Sequence, residues 1–241
     1  MTAVPPGPPL PGVRASVAVA FCPEPPLLHP AVEVRADDAT TALRDACALA
    51  VGDLLAMGPE VVVVVGSGLA PGLRLGVGDA GSLHGFGVPL EFPFQGRVRP
   101  GGRRAPLPHT LGAWLLDRAG FSGTRVGVGP ADLGQLVRDL PGPVAVLAMG
   151  DGSARRSVKA PGYLDEGAGP FDAAVARALE TGDAAALASL DPAQGERLLA
   201  SGVPVWRAVG AAVDGRPITA RLLLDAAPLG VGYLVASWVA G

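Results

Sequence analysis

The chain has 241 residues, of which 49% are hydrophobic and 17% charged, and its formal net charge is −3. This composition indicates a folded chain with a substantial buried core and argues against a disordered protein. No basic run exceeds two adjacent arginines, and no apolar stretch reaches the roughly 18–20 residues that span a bilayer. We therefore expect no nucleic-acid partner and no membrane partner. Residues 1–13 lack the pattern of a signal peptide, and we expect a flexible proline-rich tail on a cytoplasmic protein.

The first part of the chain alternates strand and helix patterns. Residues 14–21 predict a buried strand, which ends at a run of prolines because proline has no amide N–H to donate. Residues 37–57 predict an amphipathic helix with acids in its first turn. The five valines within residues 60–66 predict a strand buried on both faces, as in a parallel sheet covered by helices. This order suggests a right-handed βαβ unit.

A long glycine-rich segment follows the second strand. It lacks the GxxxxGK[ST] motif, and no GxGxxG stands directly between a strand and a helix, so it resembles a phosphate loop only superficially. We expect His84, which lies in this segment, to be exposed. Residues 88–94 predict another strand. Pro108 and His109 then open a predicted helix that ends at Gly120.

The second part of the chain continues the alternation. The patterns predict a weak strand over residues 125–128, a helix over 130–140, a buried strand over 143–149, three or four short helices within 171–213, and a C-terminal hairpin over 218–240. The fold class is therefore α/β. We expect a single domain, residues 14–241, with a central mostly parallel or mixed sheet covered by helices on both faces.

Ligands of such sheets gather beyond the carboxyl ends of the strands. Four segments of the chain lie there: residues 22–30 after the first strand, 66–68 after the second, 150–165 after the strand over 143–149, and 225–230 between the last two strands. Their polar residues are Glu24, His29, Ser67, Asp151, Ser153, Arg155, Arg156, Lys159, Tyr163, Asp165 and Asp225.

A metal site is one alternative for the turn after the first strand. A non-heme iron site wants imidazoles and a carboxylate on one face. Glu24 and His29 could hold such an ion, Fe(II) or another divalent metal, if His109 or Asp225 completed the set. The other alternative is an ordinary proline-rich turn with a solvated Glu24 and a surface His29.

The polar loop, residues 150–170, offers a second kind of site. Asp151 follows a buried strand between glycines, so its carboxylate and nearby amides can approach a ligand. Arg155, Arg156 and Lys159, the only lysine of the chain, could neutralise an anionic group. Tyr163 could transfer a proton. The alternative is a solvated loop whose charges pair among themselves.

His109 stands at the start of a predicted helix. An imidazole there sees the positive end of the helix dipole, which lowers its pKa and favours the neutral form. His109 is therefore a candidate base, and the alternative is a helix-start residue without a chemical role.

Five stretches carry a family resemblance: "CPEPPLL", "EVVVVVGSG", "LPHTLGAWLLDRAG", "MGDGSARRSVKAPGYLDEGAGPFDAAVARAL" and "DAAPLGVGYLVASW". With them, nearly the whole chain from about residue 14 resembles an actinobacterial group of proteins. That group is similar to the catalytic, B-type subunits of class III extradiol ring-cleavage dioxygenases, with Memo-like proteins as more distant relatives. The resemblance implies the α/β fold of those catalytic subunits.

The resemblance also implies site residues, since the family's enzymes open catechol-type rings with O2 at an Fe(II) held by two histidines and a glutamate. Glu24 stands in the turn where the first histidine is expected. Residues 66–68, Gly-Ser-Gly, stand where the second is expected. His109 matches an acid–base histidine of the family, and Asp225 a late carboxylate ligand.

Three hypotheses about function follow. In the first, the chain is an extradiol-type dioxygenase with a remodelled metal site, in which Glu24, His29 and Asp225 bind the metal and His109 is the base. In the second, the same scaffold without a metal binds a small anionic or aromatic molecule around Asp151 and the polar loop. In that hypothesis His109, Asp151, Lys159 and Tyr163 are catalytic candidates, and Ser67, Ser153, Arg155 and Arg156 bind the ligand. In the third, the chain is a non-catalytic structural or assembly subunit, with a homo-oligomer left open.

Overall fold

A computed structural model describes residues 16–33, 35 and 37–241 of the chain. The predicted tail over residues 1–13 and the predicted start of the first strand at Arg14 lie outside the described residues. Within the described ranges the chain forms nine β-strands and seven α-helices, which confirms the α/β class.

The strands are β1 Val17–Cys22, β2 Val61–Val65, β3 Arg74–Leu75, β4 Ala80–Ser82, β5 Glu91–Pro93, β6 Thr124–Val128, β7 Val144–Met149, β8 Ile218–Ala226 and β9 Tyr233–Ala240. The helices are α1 Asp38–Leu55, α2 Leu107–Arg118, α3 Pro130–Asp139, α4 Ala168–Thr181, α5 Ala184–Ala188, α6 Pro192–Leu198 and α7 Val203–Val213. The sequence patterns therefore located most elements to within a few residues.

One seven-stranded mixed sheet organises the fold, in the order β3-β6-β2-β7-β1-β9-β8. The central strands β6, β2, β7 and β1 run parallel to one another, as the valine-rich patterns predicted. The C-terminal strands β8 and β9 form the predicted antiparallel hairpin, and β9 pairs antiparallel with β1. β7 lies between β1 and β2, so the two strands of the predicted βαβ unit are not neighbours.

Helices cover both faces of the sheet. Because side chains alternate along a strand, Val17, Val19 and Phe21 of β1 pack on one side, in a core shared with α3 to α7. Ala18 and Ala20 point to the other side, in a core shared with α1 and α2. This arrangement leaves the carboxyl edge of the parallel strands, rather than a sheet face, as the place for a site.

Local signals explain the helix ends. Asp37 precedes α1 and accepts a hydrogen bond from the amide of Thr40, at 2.8 Å, as an N-cap does. Gly182 ends α4 in the left-handed region, where φ is 72° and a side chain is unfavourable. None of the helices in the described ranges is both long enough and apolar enough to cross a bilayer.

The glycine-rich region between β2 and α2 differs most from the prediction. The strand predicted over residues 88–94 is reduced to β5, whose three residues pair with β4 in a separate small sheet. Pro89 and Pro93 limit the pairing of this segment because each lacks an amide donor. His84 is exposed, as predicted.

Candidate functional site

Two carboxyl side chains meet at the carboxyl ends of β1 and β7. The two strands are parallel neighbours, with Cys22 opposite Met149, and Glu24 and Asp151 each follow their strand by two residues. The amide of Glu24 donates a hydrogen bond to Oδ1 of Asp151, at 2.7 Å. The strand register therefore brings together two acids that are 127 residues apart in the sequence.

Ser201 joins this pair from the segment that precedes α7. Its Oγ accepts a hydrogen bond from the amide of Asp151, at 3.0 Å, and the Asp151 carbonyl accepts one from the amide of Gly202, at 2.8 Å. A Cβ atom on Gly150 would lie only 2.4 Å from the Gly202 Cα, so glycine is needed for this close approach. The contact fixes Ser201 against both acids.

Burial shifts the acid–base behaviour of both carboxyl groups. Burial raises the pKa of Glu24 to about 7, and the neighbouring Ser201 side chain opposes this rise. Burial, together with the charge of Glu24, raises the pKa of Asp151 to about 8, while the hydrogen bond from the Glu24 amide opposes it. Because the two groups interact, they titrate as a pair. Near neutral pH the pair therefore holds protons that ordinary carboxyl groups would have lost.

The pair lines a cavity of about 450 Å³, here named the carboxyl-pair pocket. Its other walls are mostly apolar and include Pro25, Leu27, Ala154, Leu199, Leu229 and Val231. Tyr233, at the start of β9, also lines it, and burial raises the pKa of that phenol above its usual range. Within the described part of the chain, no lysine or arginine lines this pocket, and Oε2 of Glu24 is buried without a hydrogen-bond partner.

The arginines predicted to bind a ligand form ion pairs with acids of the protein. Arg156 Nη1 lies 2.8 Å from Oδ2 of Asp172, whose side chain is fully buried. Arg155 lies 4.0 Å from Asp165, which also pairs with Arg197. The alternative interpretation of the polar loop, in which its charges pair among themselves, describes these groups. Their positive charges are therefore neutralised outside the pocket.

Three further residues of the polar loop do not line the pocket. Ser153 is fully buried and donates from Oγ to the carbonyl of Leu198, at 2.8 Å. Lys159 is exposed, and so is 65% of Tyr163. Neither lines the carboxyl-pair pocket, so the pocket geometry gives neither side chain a role.

His109 is fully buried beside the carboxyl end of β6. Its Nε2 lies 2.9 Å from the carbonyl oxygen of Val128, so Nε2 carries the proton and donates it. Burial lowers the pKa of His109 to about 4. The neutral form was predicted, but its cause is burial rather than the helix dipole. Because the ring is enclosed, His109 does not line the pocket as a base would.

The predicted metal ligands are not brought together. Among the described residues, no three His, Cys, Asp or Glu side chains are grouped so that they could hold a metal ion. His29 is buried, with its ring 4.9 Å from that of Trp114, which also makes its prediction as a surface residue wrong. Asp225 is exposed on β8 and lines a separate groove with Arg177.

The side chains at Glu24 therefore do not fit an iron site of two histidines and one carboxylate. The position after β2 carries Ser67, which is half-buried and lies in a neighbouring cleft, and the nearby His109 ring is committed to Val128. After the short 3-10 helix Pro26–Leu28, the His29 ring packs against Trp114 and Phe92 and does not line the pocket with Glu24. Two carboxyl groups remain, and the described lining of the pocket places no imidazole beside them.

Ser201 and Tyr233 were missed in the sequence. Ser201 lies in a short turn between two helices, and Tyr233 begins an antiparallel strand, so neither follows a parallel strand. No motif marks them. The comparisons with known proteins add no further guide, since no protein-family model matches the chain and no curated protein matches it.

Proposed function

We propose that the carboxyl-pair pocket binds a small organic molecule that presents an amine or another hydrogen-bond donor to Glu24 and Asp151 and an apolar, often aromatic, body to the other walls. The pair accepts hydrogen bonds from the ligand and exchanges a proton with it. The observation that carries the proposal is a pair of half-buried carboxyl groups with raised pKa values, in a mostly apolar pocket without a lysine or arginine in its described lining.

Charge complementarity supports a cationic or donor-bearing ligand. Bringing two carboxylates out of water without a counter-charge is costly, which is why their pKa values rise. A ligand ammonium supplies the missing positive charge and forms charge-assisted hydrogen bonds. An anionic ligand, the alternative favoured by the arginines of the polar loop, would add a third negative group beside Glu24 and Asp151.

The position and chemistry of the pocket also suit catalysis. Acid–base groups work best when their pKa lies near the ambient pH, and the pKa values of Glu24 and Asp151, about 7 and 8, meet this condition. The pocket lies at the turn where the resemblance to class III extradiol dioxygenases places the active site. We propose that the chain uses that location for proton transfer rather than for oxygen chemistry at a two-histidine iron site.

Three one-ring compounds that differ in the charge of their polar group test the proposal: benzylamine, benzyl alcohol and benzoate. We expect calorimetry near pH 8 to rank their affinities in that order, with benzoate showing no measurable binding. Affinity for benzylamine should rise with pH between about 6 and 8 as Glu24 and Asp151 lose their protons.

The matched variants are Glu24→Gln with Asp151→Asn, which keep the shapes of the side chains and remove the charges. We expect this double variant to bind benzylamine at least about tenfold more weakly, the loss typical of a hydrogen bond to a charged group. Glu166→Gln, at an exposed acid of the polar loop, is the control and should change nothing. Equal or tighter binding of benzoate by the unaltered protein would contradict the proposal.

A further inference from the structure

A second and larger cavity adjoins the carboxyl-pair pocket. This apolar cleft, of about 740 Å³, is lined by Ser67 after β2, by Pro130 and Ala131 after β6, and by residues of α6 and α7 such as Val203. β6, β2, β7 and β1 are consecutive strands of the sheet. The apolar cleft therefore lies at the carboxyl ends of β6 and β2, beside the pocket at the ends of β7 and β1.

The two cavities share a wall. Leu199 and Ser201 line both of them, and they belong to the same turn between α6 and α7. Leu199 has φ of 55°, a left-handed conformation that is unfavourable for a branched side chain without a structural reason. It is 47% exposed. A strained and partly exposed leucine thus stands at the junction between the two cavities.

The lining of the apolar cleft suits a hydrocarbon group. Glu196 and Arg207 are the charged residues among its described lining, and the Arg207 guanidinium already donates to the carbonyl of Leu190. Prolines, alanines, Leu199 and Val203 make up most of the remaining surface. Such walls favour contact with apolar groups of a ligand and offer few hydrogen bonds to polar ones.

We infer that the apolar cleft and the carboxyl-pair pocket form one two-part site for an amphiphilic amine, with the ammonium at Glu24 and Asp151 and the hydrocarbon tail past Leu199 in the cleft. This inference rests on the proposed function, because it takes the head-group preference from the carboxyl pair. The two-part site specifies the class of ligand further, because it requires a molecule that has one basic end and is too long for the carboxyl-pair pocket alone.

Butylamine and octylamine test it, since they share the head group and differ only in tail length. Each methylene that leaves water strengthens binding several-fold, so we expect octylamine to bind the unaltered protein at least about tenfold more tightly. Ala131→Trp places an indole in the cleft from an exposed helix position and should abolish that advantage. Ala193→Trp, at an exposed position of α6 outside the described lining, should leave it intact.

The outcomes separate the two proposals. If butylamine and octylamine bind equally, and Glu24→Gln with Asp151→Asn weakens both, the two-part site is wrong and the proposed function stands. If octylamine binds this double variant undiminished, or octanoate binds as well as octylamine, both proposals are wrong. If Ala131→Trp changes only the oligomeric state in ultracentrifugation, the cleft is an interface between copies of the chain and the inference fails. Should Ala131→Trp not fold, Ala208→Leu in α7 provides the same test.

Discussion

Two neighbouring regions of the molecule differ in the groups that surround their acidic side chains. In the polar loop, Arg156 and the amide of Ser153, at 2.8 Å each, both contact the buried carboxyl of Asp172. In the carboxyl-pair pocket, Glu24 and Asp151 face each other and apolar walls. The first region pairs its acids with arginines, whereas the described lining of the second holds no arginine or lysine beside Glu24 and Asp151. A loop rich in charged residues can therefore serve mainly the structure, while a neighbouring region with few charges carries the acids whose pKa values lie near neutrality.

The pKa values of the acids express the same contrast. A backbone amide and Arg197 hold the pKa of Asp165 below its usual range. Burial keeps the pKa of Asp172 above its usual range, although the Ser153 amide and Arg156 oppose the rise. In the pocket, burial acts on Glu24 and Asp151 without an opposing arginine among the causes, and both pKa values reach the neutral range.

The largest effect is expected when Glu24 and Asp151 are replaced by side chains that do not titrate. The pKa values of Glu24 and Asp151 lie above their unperturbed values of 4.5 and 3.8, so the folded protein retains protons that the unfolded chain releases. Their stabilising contribution is therefore complete below about pH 4 and is lost as pH rises through about 7 and 8. Between pH 5 and pH 9 we expect the unaltered protein to lose at least about 3 kcal/mol of unfolding free energy relative to Glu24→Gln with Asp151→Asn.

Urea unfolding of both proteins at several pH values measures this difference. His109 acts in the opposite direction, because its pKa is lowered and its contribution is lost in acid, but it is present in both proteins and cancels. Parallel pH profiles for the two proteins would show that the carboxyl pair titrates normally.

A smaller effect is expected from the polar loop. Arg156→Met removes the cation that faces the fully buried Asp172, and we expect a loss of about 2 kcal/mol, at the low end for a buried pair because 27% of the arginine side chain is exposed. Lys159→Met, in the same loop but exposed, is the control and should cost less than about 0.5 kcal/mol. Chemical denaturation compares them, and equal losses would mean that the loop cations are interchangeable.

The smallest effect is expected from divalent metals. A bound metal ion would supply the positive charge that the pocket lacks, and the pocket would then resemble the polar loop, whose acids face cations. Two carboxyl groups without an imidazole are a poor site for iron or zinc, so we expect desalted protein to retain less than about a tenth of an equivalent of either metal after incubation. Elemental analysis gives the answer. Stoichiometric retention that Glu24→Gln abolishes would instead favour the remodelled dioxygenase site.

Much of the fold could be predicted because its signals are local. Apolar runs marked β1, β2 and β7, caps and prolines marked the helices, and the carboxyl-end rule selected Glu24 and Asp151. The remaining site residues depend on tertiary packing. Ser201 reaches Asp151 because Gly150, which has no Cβ atom, lets the turn before α7 approach the end of β7.

Where the structure departs from the sequence-based expectations, nearness in sequence does not decide the direction of a side chain. His29 is five residues from Glu24, yet it packs against Trp114. Arg155 and Arg156 are adjacent to each other, yet they pair with Asp165 and Asp172 respectively. A helix dipole was the predicted cause of the low pKa of His109, whereas the structure attributes it to burial.

The hydrogen bond between Glu24 and Asp151 also has a consequence for the order of events during synthesis. Glu24 leaves the ribosome early, but Asp151 follows 127 residues later, and Ser201 and Tyr233 later still. Contacts of such long sequence separation form late, after the sheet has closed around them. A nascent chain or an N-terminal fragment thus carries one acid without the other. The pocket is therefore complete only once β9, which contributes Tyr233 to its wall, is in place.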